Sequence, residues 1–459
     1  MALEPLMRQA CERRRGRLAA QLGNRPALIA AGAPRPRNYA ANLYPFRATS
    51  HFLYLFGVPL RGAVAFYDGA TWTLYLPDPD ASDVLWEGPQ PTFDEIAADV
   101  GCPVRSLSRL PANVRGRAVA TLPAPDLETC AEQSRLLGRE IRRGVFDVLD
   151  APLADALIEL RLVHDDAAVT ELRRAAEATA AAHRAGMRVT RAGITEAAVR
   201  ATMEAALAAR GMGCAYPSIV TVHGEVLHNE HHGNVLSDGD LLLADVGAET
   251  PGGWAGDVTR TWPVSPKYST PQRELYQVVL SAQRQAIAAV SPGARYRNIH
   301  LLACQALAGG LCELGILRGN PIELVADGVL ALLFPHGIGH LIGLDVHDME
   351  DLGDRAGYAP GRTRASEFGL RYLRLDRDLA PGMAVTIEPG LYLVPAILDD
   401  PELSKKAQGR LDRARLASYA SVRGIRIEDD VLVTGEGAEV LTAAIPKAPD
   451  EVEAVRAGA

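Results

Sequence analysis

Five side chains in this sequence have the chemistry of metal ligands. They are four carboxylates and one imidazole, contributed by Asp245, Asp257, His340, Glu388 and Glu428. Carboxylate oxygens and imidazole nitrogens bind divalent cations, and a set of this size is large enough for two of them. Two divalent ions held close together can activate water and polarise a carbonyl group. The set therefore predicts a two-metal hydrolase.

The two aspartates lie in one segment, ADVGAETPGGWAGDVTRT, which predicts two short strands joined by a turn. If the chain folds back about Pro251-Gly252-Gly253, Asp245 lies directly opposite Asp257. Like charges in directly opposed positions destabilise a sheet. A cation between them would turn this repulsion into attraction, so the segment predicts a cation site between the strands.

The two glutamates lie in strand-like segments. Glu388 follows an apolar run in TIEPGLYL, and Pro389-Gly390 turn the chain directly behind it. In GIRIEDDVLV the side chains alternate between two faces, so Arg426 and Glu428 share a face. A carboxylate beside a guanidinium fits a metal ligand held by a hydrogen-bonding partner. A surface ion pair would give the same triplet, but the other ligand candidates favour the metal site.

Histidines concentrate in two segments. In FPHGIGHLIGLDVHD, His340 lies between His336 and His347, and the glycines around it allow a close backbone approach. The spacing resembles that of a zinc-protease helix, but the glutamate of that motif is missing, and the GxGxxG, GxSxG and GxxxxGK(S/T) patterns are absent from the sequence. In HGEVLHNEHHG we expect a polar loop in which one histidine is functional.

Composition and charge narrow the class of protein. A chain of 459 residues is too long for one ordinary core, so two domains are expected. The formal net charge of -8 argues against nucleic acids and anionic membranes as partners. The six cysteines form no CxxC pair, the N-terminal segment lacks the apolar core of a signal peptide, and no apolar run is long enough to span a membrane. These features predict a cytoplasmic protein.

The chain reads as an N-terminal α/β domain over residues 1–160 and a second domain over 161–459. In the first domain, strands are predicted at 26–32, 62–77 and 116–123, and helices at 3–22 and 93–100. Asp165 and Asp166 are expected to cap a helix that runs to Gly186. In the second domain, helices are predicted at 194–210, 271–290, 297–316 and 322–334, a hairpin at 241–264, and strands at 217–222, 383–388, 391–394 and 424–433.

Residues 228–433 resemble the catalytic domain of the pita-bread metallopeptidases, in the branch of prolidase (Xaa-Pro dipeptidase) and aminopeptidase P. The matching fragments are LLLADVGAE, GWAGDVTRTWPV, FPHGIGHLIGLDVHD, LAPGMAVTIEPGLYL and RGIRIEDDVLVT. The run YPFRATSHFLYLFGVP is similar to the N-terminal domain of that branch. The resemblance implies an α/β (α+β) fold in which an N-terminal aminopeptidase-P-like domain precedes a pita-bread (creatinase/aminopeptidase-like) catalytic domain.

The resemblance also implies roles for individual residues. The five metal ligands would be Asp245, Asp257, His340, Glu388 and Glu428, the catalytic residues His228, His336, His347, Glu388 and Arg426, and the substrate-binding residues Tyr216 and Arg374. Glu388 would carry the proton, and His336 or His347 would stabilise the oxyanion. The spacing from Asp245 to Asp257 is one residue longer than is usual in the family, which puts the position of the turn in question.

The segment GLRYLRLDRDLAPGM resembles prolidases more than aminopeptidases P. Arg374 would then pair with the carboxylate of a C-terminal proline, which implies an Xaa-Pro dipeptidase. Alternatively, Arg371, Arg374 and Arg377 form a solvated helix face, and the enzyme is an Xaa-Pro aminopeptidase for longer peptides. A non-peptidase relative, such as a creatine-type amidinohydrolase or a binding module, would lack some of the ligands.

The same resemblance implies cofactors and partners. We expect two divalent ions per chain, Mn²⁺ in the first place and Zn²⁺ or Co²⁺ as alternatives. The expected partners are proline-containing di- or short peptides, without nucleic acid or membrane. A homodimer is expected, with a tetramer as the alternative. The aromatic run from Tyr44 to Phe56 is predicted to lie in the core or at a domain interface, and is a candidate dimer surface.

Overall fold

The structure, a computed structural model, describes residues 3–79 and 83–458, which form two compact units. The first unit comprises Met1–Ala168 and Met349–Ala356, and the second comprises Val169–Asp348 and Gly357–Ala459. Both units combine helices and strands, which confirms the mixed α/β class. Within the described ranges, no helix is both long and apolar enough to cross a membrane.

One mixed sheet forms the centre of the first unit. Its strands are β1 (Ala27–Ala30), β2 (Val64–Tyr67), β3 (Trp72–Leu76), β4 (Val104–Ser106) and β5 (Ala120–Thr121). Their order is β4-β3-β2-β1-β5, with antiparallel pairing of β1 to β2 and β2 to β3 and parallel pairing at both ends. Leu28, Phe66 and Tyr75 from the three central strands are buried in one apolar cluster. Apolar and aromatic runs favour such a buried sheet.

The first unit also contains helices before, between and after these strands. They are α1 (Pro5–Leu22), α2 (Ser50–Phe56), α3 (Asp83–Glu87), α4 (Phe93–Val100), α5 (Leu110–Val114), α6 (Leu127–Leu137) and α7 (Ala151–Arg161). Helix α2 was not predicted, and it buries Phe52, Tyr54 and Phe56. Only Tyr44 of the predicted aromatic run is well exposed. The run therefore belongs mainly to the core, and its assignment as a candidate dimer surface is corrected, because buried rings cannot bind a second chain.

The strands of the second unit form small antiparallel sheets. They are β6 (Gly213–Cys214), β7 (Ile219–Thr221), β8 (Leu241–Asp245), β9 (Ala248–Glu249), β10 (Thr259–Pro263), β11 (Ala384–Ile387), β12 (Gly390–Tyr392), β13 (Gly424–Arg426), β14 (Asp429–Val433) and β15 (Ala438–Val440). The strand orders are β10-β8-β7 and β11-β14-β15, and β12 pairs with β13 and β6 with β9.

The remaining helices include the predicted ones, one of which is shorter than predicted, and several short helices that were not predicted. They are α8 (Asp166–Val189), α9 (Glu196–Ala208), α10 (Thr270–Ala288), α11 (Tyr296–Glu313), α12 (Pro321–Ala326), α13 (Asp354–Gly357), α14 (Pro395–Leu398), α15 (Pro401–Lys406), α16 (Arg413–Ala417) and α17 (Pro449–Arg456). Short 3-10 turns lie at Leu107–Arg109, Leu330–Leu332, Glu350–Leu352, Leu370–Tyr372 and Ala420–Val422. Asp165 Oδ1 accepts from Ala168 N (3.0 Å), as expected of a helix cap. The helix predicted over 322–334 ends early, because Gly328 adopts a φ of 74°.

The register of β8 and β10 differs from the predicted one. Asp245 lies opposite Thr259 rather than Asp257. Thr250 N donates to Trp254 O (2.9 Å), so the turn is centred on Gly252. Asp245 and Asp257 would lie directly opposite each other only if the turn were centred on Pro251. Moving the turn by one residue moves each partner by two positions, which keeps Asp257 and Thr259 on one face.

Candidate active site

The five predicted ligands lie at strand ends or in loops paired to a strand. Asp245 ends β8, Asp257 precedes β10, Glu388 follows β11, Glu428 joins β13 to β14, and His340 lies in a loop beside β11. The N–H of His340 donates to Thr386 Oγ1 (3.1 Å), and its carbonyl accepts from Thr386 N (3.0 Å). The N–H of Glu388 donates to the carbonyl of Ile338 (2.8 Å). These bonds hold the histidine loop against the strand that carries Glu388.

The structure brings all five of these side chains together. Their donor atoms form overlapping groups whose members lie within 4.8 Å of one another: Asp245–Asp257–Glu428, His340–Glu388–Glu428 and Asp257–His340–His347. Because Asp257, His340 and Glu428 each belong to two groups, the cluster is continuous. His340 Nε2 lies 3.4 Å from Asp257 Oδ2 and 3.6 Å from Glu388 Oε1.

Burial and mutual repulsion shift the pKa values of these carboxyl groups. Burial, opposed in part by Arg426, raises the pKa of Asp245 to about 6, and burial opposed by His340 raises the pKa of Glu388 to about 7. Burial and the neighbouring carboxylates hold the pKa of Glu428 well above its usual range. Burial acts in the same direction on Asp257, but the hydrogen bond and charge of His340, the hydrogen bond with Tyr216 and the charge of His347 together outweigh it and lower the pKa.

The donor set fits divalent cations. Four carboxylates share a buried space, with the guanidinium of Arg426 and the imidazole of His340 beside them. Burial alone would lower the pKa of His340, but its hydrogen bond with Asp257 and the charge of Glu388 raise it to about 9. A divalent cation would offset the charge of the carboxylates, because carboxylate oxygens and one imidazole are suitable ligands.

Polar side chains fix the orientation of the carboxylates. The Thr259 hydroxyl donates to Glu428 Oε2 (2.7 Å) and accepts from Arg426 Nε (2.8 Å), and Arg426 Nη2 donates to Asp245 Oδ2 (2.7 Å). The Tyr216 hydroxyl lies between the aspartates, 2.5 Å from Asp245 Oδ1 and 2.7 Å from Asp257 Oδ1. Tyr216, predicted to bind substrate, therefore contacts the carboxylates. Such partners orient metal ligands.

A buried ion pair supports the strand junction beneath Glu428. Arg260 and Asp429 are both fully buried, and Arg260 Nη2 lies 2.7 Å from Asp429 Oδ1. Arg260 Nη1 also donates to the carbonyl of Glu428 (2.5 Å), and Lys447 Nζ lies 2.6 Å from Asp429 Oδ2. Sequence analysis missed Thr259, Arg260 and Asp429. The alternation of side chains along β10 was a usable signal for Thr259, which shares a face with Asp257.

A cavity of about 440 Å³ lies over the cluster. Its walls include the five predicted ligands together with His228, His336, His347, Arg374 and Arg426. His336 Nδ1 lies 2.8 Å from the carbonyl of Gly337, and Nε2 lies 2.8 Å from the Tyr392 hydroxyl. A carbonyl only accepts, so Nδ1 carries the proton and Nε2 accepts from Tyr392. Burial and the nearby Arg426 lower the pKa of His336 to about 3, in agreement with a neutral ring.

The arginines around the cavity do not form the alternative helix face. Only Leu370–Tyr372 is helical there, as a 3-10 turn. Arg371 stacks over Phe368 and Tyr372 and is exposed, whereas Arg374 lines the cavity. Arg364 and Tyr372, which sequence analysis did not assign, line the same cavity.

Comparison with known proteins agrees with this architecture. The model of metallopeptidase family M24 matches residues 170–435, and that of the aminopeptidase P N-terminal domain matches residues 11–119. Human Xaa-Pro dipeptidase is 31% identical, covering 100% of this chain and 94% of the human protein. A probable Xaa-Pro aminopeptidase of Coccidioides posadasii is 33% identical, covering 90% and 88%.

Solved structures show the same likeness. The aminopeptidase PepP of Pseudomonas aeruginosa superposes with a TM-score of 0.82 at 29% identity, covering 100% of this chain and 99% of that one. Zn-substituted Escherichia coli aminopeptidase P in complex with product gives a TM-score of 0.79 at 30% identity, covering 100% and 99%.

Fold and site together define a metal-dependent hydrolase, in which a pita-bread catalytic domain follows an aminopeptidase-P-type N-terminal domain along the chain. The chain belongs to metallopeptidase family M24, in the branch of prolidase and aminopeptidase P. The predicted fold class and family are confirmed.

Replacing one carboxylate of the cluster tests its role as a metal site. We predict that Asp257→Asn and Glu428→Gln each lose at least one metal ion per chain and abolish hydrolysis. Each variant should remain folded, because one buried charge of the repelling set is removed. Elemental analysis, a peptide hydrolysis assay and circular dichroism measure the three outcomes.

Asp450→Asn is the control, since Asp450 is highly exposed and lies outside the cluster. Variants of Asp257 and Glu428 that keep both metal ions and full activity would contradict the five-ligand site.

Proposed function

We propose that this enzyme hydrolyses the peptide bond preceding proline, with a preference for Xaa-Pro dipeptides. The observation that supports this proposal is a single cavity lined by both the candidate metal ligands and Arg374. An arginine fork suits a free carboxylate, which the C-terminal proline of a dipeptide provides. Relatives named Xaa-Pro dipeptidase and Xaa-Pro aminopeptidase agree with cleavage before proline.

The second candidate function is that of an Xaa-Pro aminopeptidase for longer peptides. The likeness to solved aminopeptidase P structures favours it. Such an enzyme must leave room beyond the proline, whereas a carboxylate bound by Arg374 would end the substrate there. The two functions therefore differ in whether Arg374 contacts a charged chain end.

The proposed metal site consists of the five clustered side chains. They are Asp245, Asp257, His340, Glu388 and Glu428. Two divalent cations bound there would supply Lewis-acid activation of water and of the scissile carbonyl. One imidazole among carboxylates suits Mn²⁺, with Zn²⁺ or Co²⁺ as alternatives.

The proton transfers are assigned to Glu388. Its carboxylate lines the cavity at the end of β11 and lies 3.6 Å from His340 Nε2 and 3.8 Å from His336 Nδ1. The attacking water must lose a proton, and the proline nitrogen must gain one as it leaves. A fixed carboxylate within reach of both groups can transfer that proton. Arg426 keeps Asp245 oriented while this occurs.

Histidines around the cavity can stabilise charge on the substrate carbonyl. We assign this role to His347, with His228 as a second substrate contact, because both line the cavity. His336 fits the role less well, since its Nε2 accepts from Tyr392 and has no proton to donate. His336 is instead assigned to the positioning of Tyr392, which also accepts from Arg426 Nη1 (3.3 Å).

We also propose a domain boundary between residues 160 and 161, a homodimer with a tetramer as the alternative, and a cytoplasmic location. The six cysteines, which are all free, support a reducing location.

The preference for dipeptides depends on Arg374. We predict that Arg374→Ala lowers kcat/KM for Ala-Pro by about a hundredfold, because losing a charge-assisted pair costs on the order of 2–4 kcal/mol of transition-state binding. Amidating the C-terminus of Ala-Pro should mimic this loss in the unmutated enzyme. Steady-state kinetics with both peptides measure it.

Ala-Pro-Ala is the comparison substrate and should be hydrolysed slowly by the unmutated enzyme. If the unmutated enzyme cleaves this tripeptide and longer peptides faster than Ala-Pro, the carboxylate contact is wrong and the aminopeptidase function is correct.

Restoring activity to metal-free enzyme with different divalent ions tests the choice of metal. We predict that enzyme stripped with a chelator regains Ala-Pro hydrolysis to the highest rate with Mn²⁺, because hard oxygen donors predominate in the cluster. Co²⁺ and Zn²⁺ at equal concentration are the comparisons. A higher rate with Zn²⁺ than with Mn²⁺ would contradict this assignment.

The proposed assembly can be tested separately. We predict that light scattering at micromolar concentration gives the mass of two chains. The mass of a single 49.1 kDa chain would exclude the dimer.

A further inference from the structure

The segment that carries Arg374 is held in place by residues that have no role in the proposed chemistry. We infer that Arg364 and Tyr358 position the Arg374 guanidinium and thereby determine how strongly the enzyme selects a substrate with a free C-terminal carboxylate. The inference rests on the proposed function, because it names the residues on which the Arg374 contact depends.

The carbonyl directly before Arg374 receives two hydrogen bonds. Arg364 Nη1 and the Tyr358 hydroxyl each donate to the carbonyl of Leu373 at 2.7 Å. Tyr358 and Leu373 are both buried, with 5% and 2% of their surface exposed. A buried carbonyl with two donors is fixed in direction. The peptide that begins Arg374 is therefore fixed as well.

Arg364 is itself held by several contacts. Its Nη1 also donates to the carbonyl of Arg371 (3.1 Å), and its guanidinium lies over the Tyr358 ring, with Cζ 5.2 Å from the centroid. A guanidinium over an aromatic face is attracted to it, and its planar fork keeps a set direction. Arg364 therefore joins the ring of Tyr358 to the two carbonyls that precede Arg374 along the chain.

Backbone pairing fixes the other side of Arg374. Asp376 N donates to the carbonyl of Gly357 (2.8 Å), and Ala359 N donates to the carbonyl of Asp376 (3.1 Å). A side chain at Gly357 would meet the carbonyl oxygen of Arg374, so the two backbones approach closely there. The Arg374 side chain thus extends from a backbone that is held by hydrogen bonds both before and after this residue.

A fixed backbone matters because a long arginine side chain reaches a carboxylate only from a narrow range of positions. A binding group displaced by about 1 Å can lose most of its contribution to catalysis. Arg364 lines the same cavity as Arg374. A substitution of Arg364 should therefore alter the part of the cavity in which Arg374 would bind the substrate carboxylate.

The test is a double-mutant cycle with two substrates. Arg364→Gln should lower kcat/KM for Ala-Pro about tenfold, mainly through KM, and change the value for Ala-Pro amide less than twofold. In an Arg374→Ala background, Arg364→Gln should have no further effect, because residues that act through each other are not additive. Tyr358→Phe, which removes only the hydroxyl, should show the same pattern with a loss of about threefold.

Two further variants distinguish the positioning role of Arg364 from an effect of its charge and from a general loss of activity. Arg364→Lys keeps the charge but loses the planar fork, and should lose as much as Arg364→Gln. Arg371→Gln, an exposed arginine of the same segment, should leave the ratio between the two substrates unchanged. Thermal unfolding of each variant identifies any loss of folding.

The outcomes distinguish this inference from the proposed function. If Arg374→Ala lowers Ala-Pro hydrolysis but Arg364→Gln has no effect, affects both substrates equally or adds fully to Arg374→Ala, the positioning role is overturned and the dipeptide preference stands. Full activity of Arg364→Lys also overturns it. If Arg374→Ala has no effect on Ala-Pro, the carboxylate contact fails, and the positioning role fails with it.

Discussion

Four carboxylates placed within one buried space repel one another, and the rest of the catalytic unit is arranged around that repulsion. The described neighbours provide the positive charge of Arg426 and of His340, which compensates only part of it. Burial makes this worse, because a charged carboxyl group is stabilised poorly away from water. Burial accordingly raises the pKa values of Asp245 and Glu388. Divalent cations remove the conflict and turn it into binding energy.

Holding such a cluster together requires rigid support. The candidate ligands lie at strand ends or in a loop paired to a strand, and hydroxyl and guanidinium groups set the direction of the Asp245, Asp257 and Glu428 carboxylates. The buried pair of Arg260 and Asp429 fixes the junction beneath Glu428. Removing one member of a buried pair leaves an uncompensated charge, so this support is sensitive to change. The candidate site therefore depends on residues that are not among those lining its cavity, such as Arg260 and Asp429.

Sequence reasoning identified the five clustered side chains and the family, because each candidate ligand lies in a short local motif. It misjudged the hairpin, since a one-residue shift of the turn at Gly252 changes every pairing partner while the motif stays the same. It missed Thr259, whose position two residues after Asp257 on an alternating strand was a readable signal. It could not find Arg364, because its bonds to the carbonyls before Arg374 depend on how a long loop folds, which no local pattern encodes.

The central claim is that these side chains form a two-metal site. Anomalous X-ray diffraction from crystals grown with Mn²⁺ tests it most directly. The account predicts two anomalous peaks per chain, both within bonding distance of the side chains of Asp245, Asp257, His340, Glu388 and Glu428. A single peak, or peaks held by other residues, would contradict it.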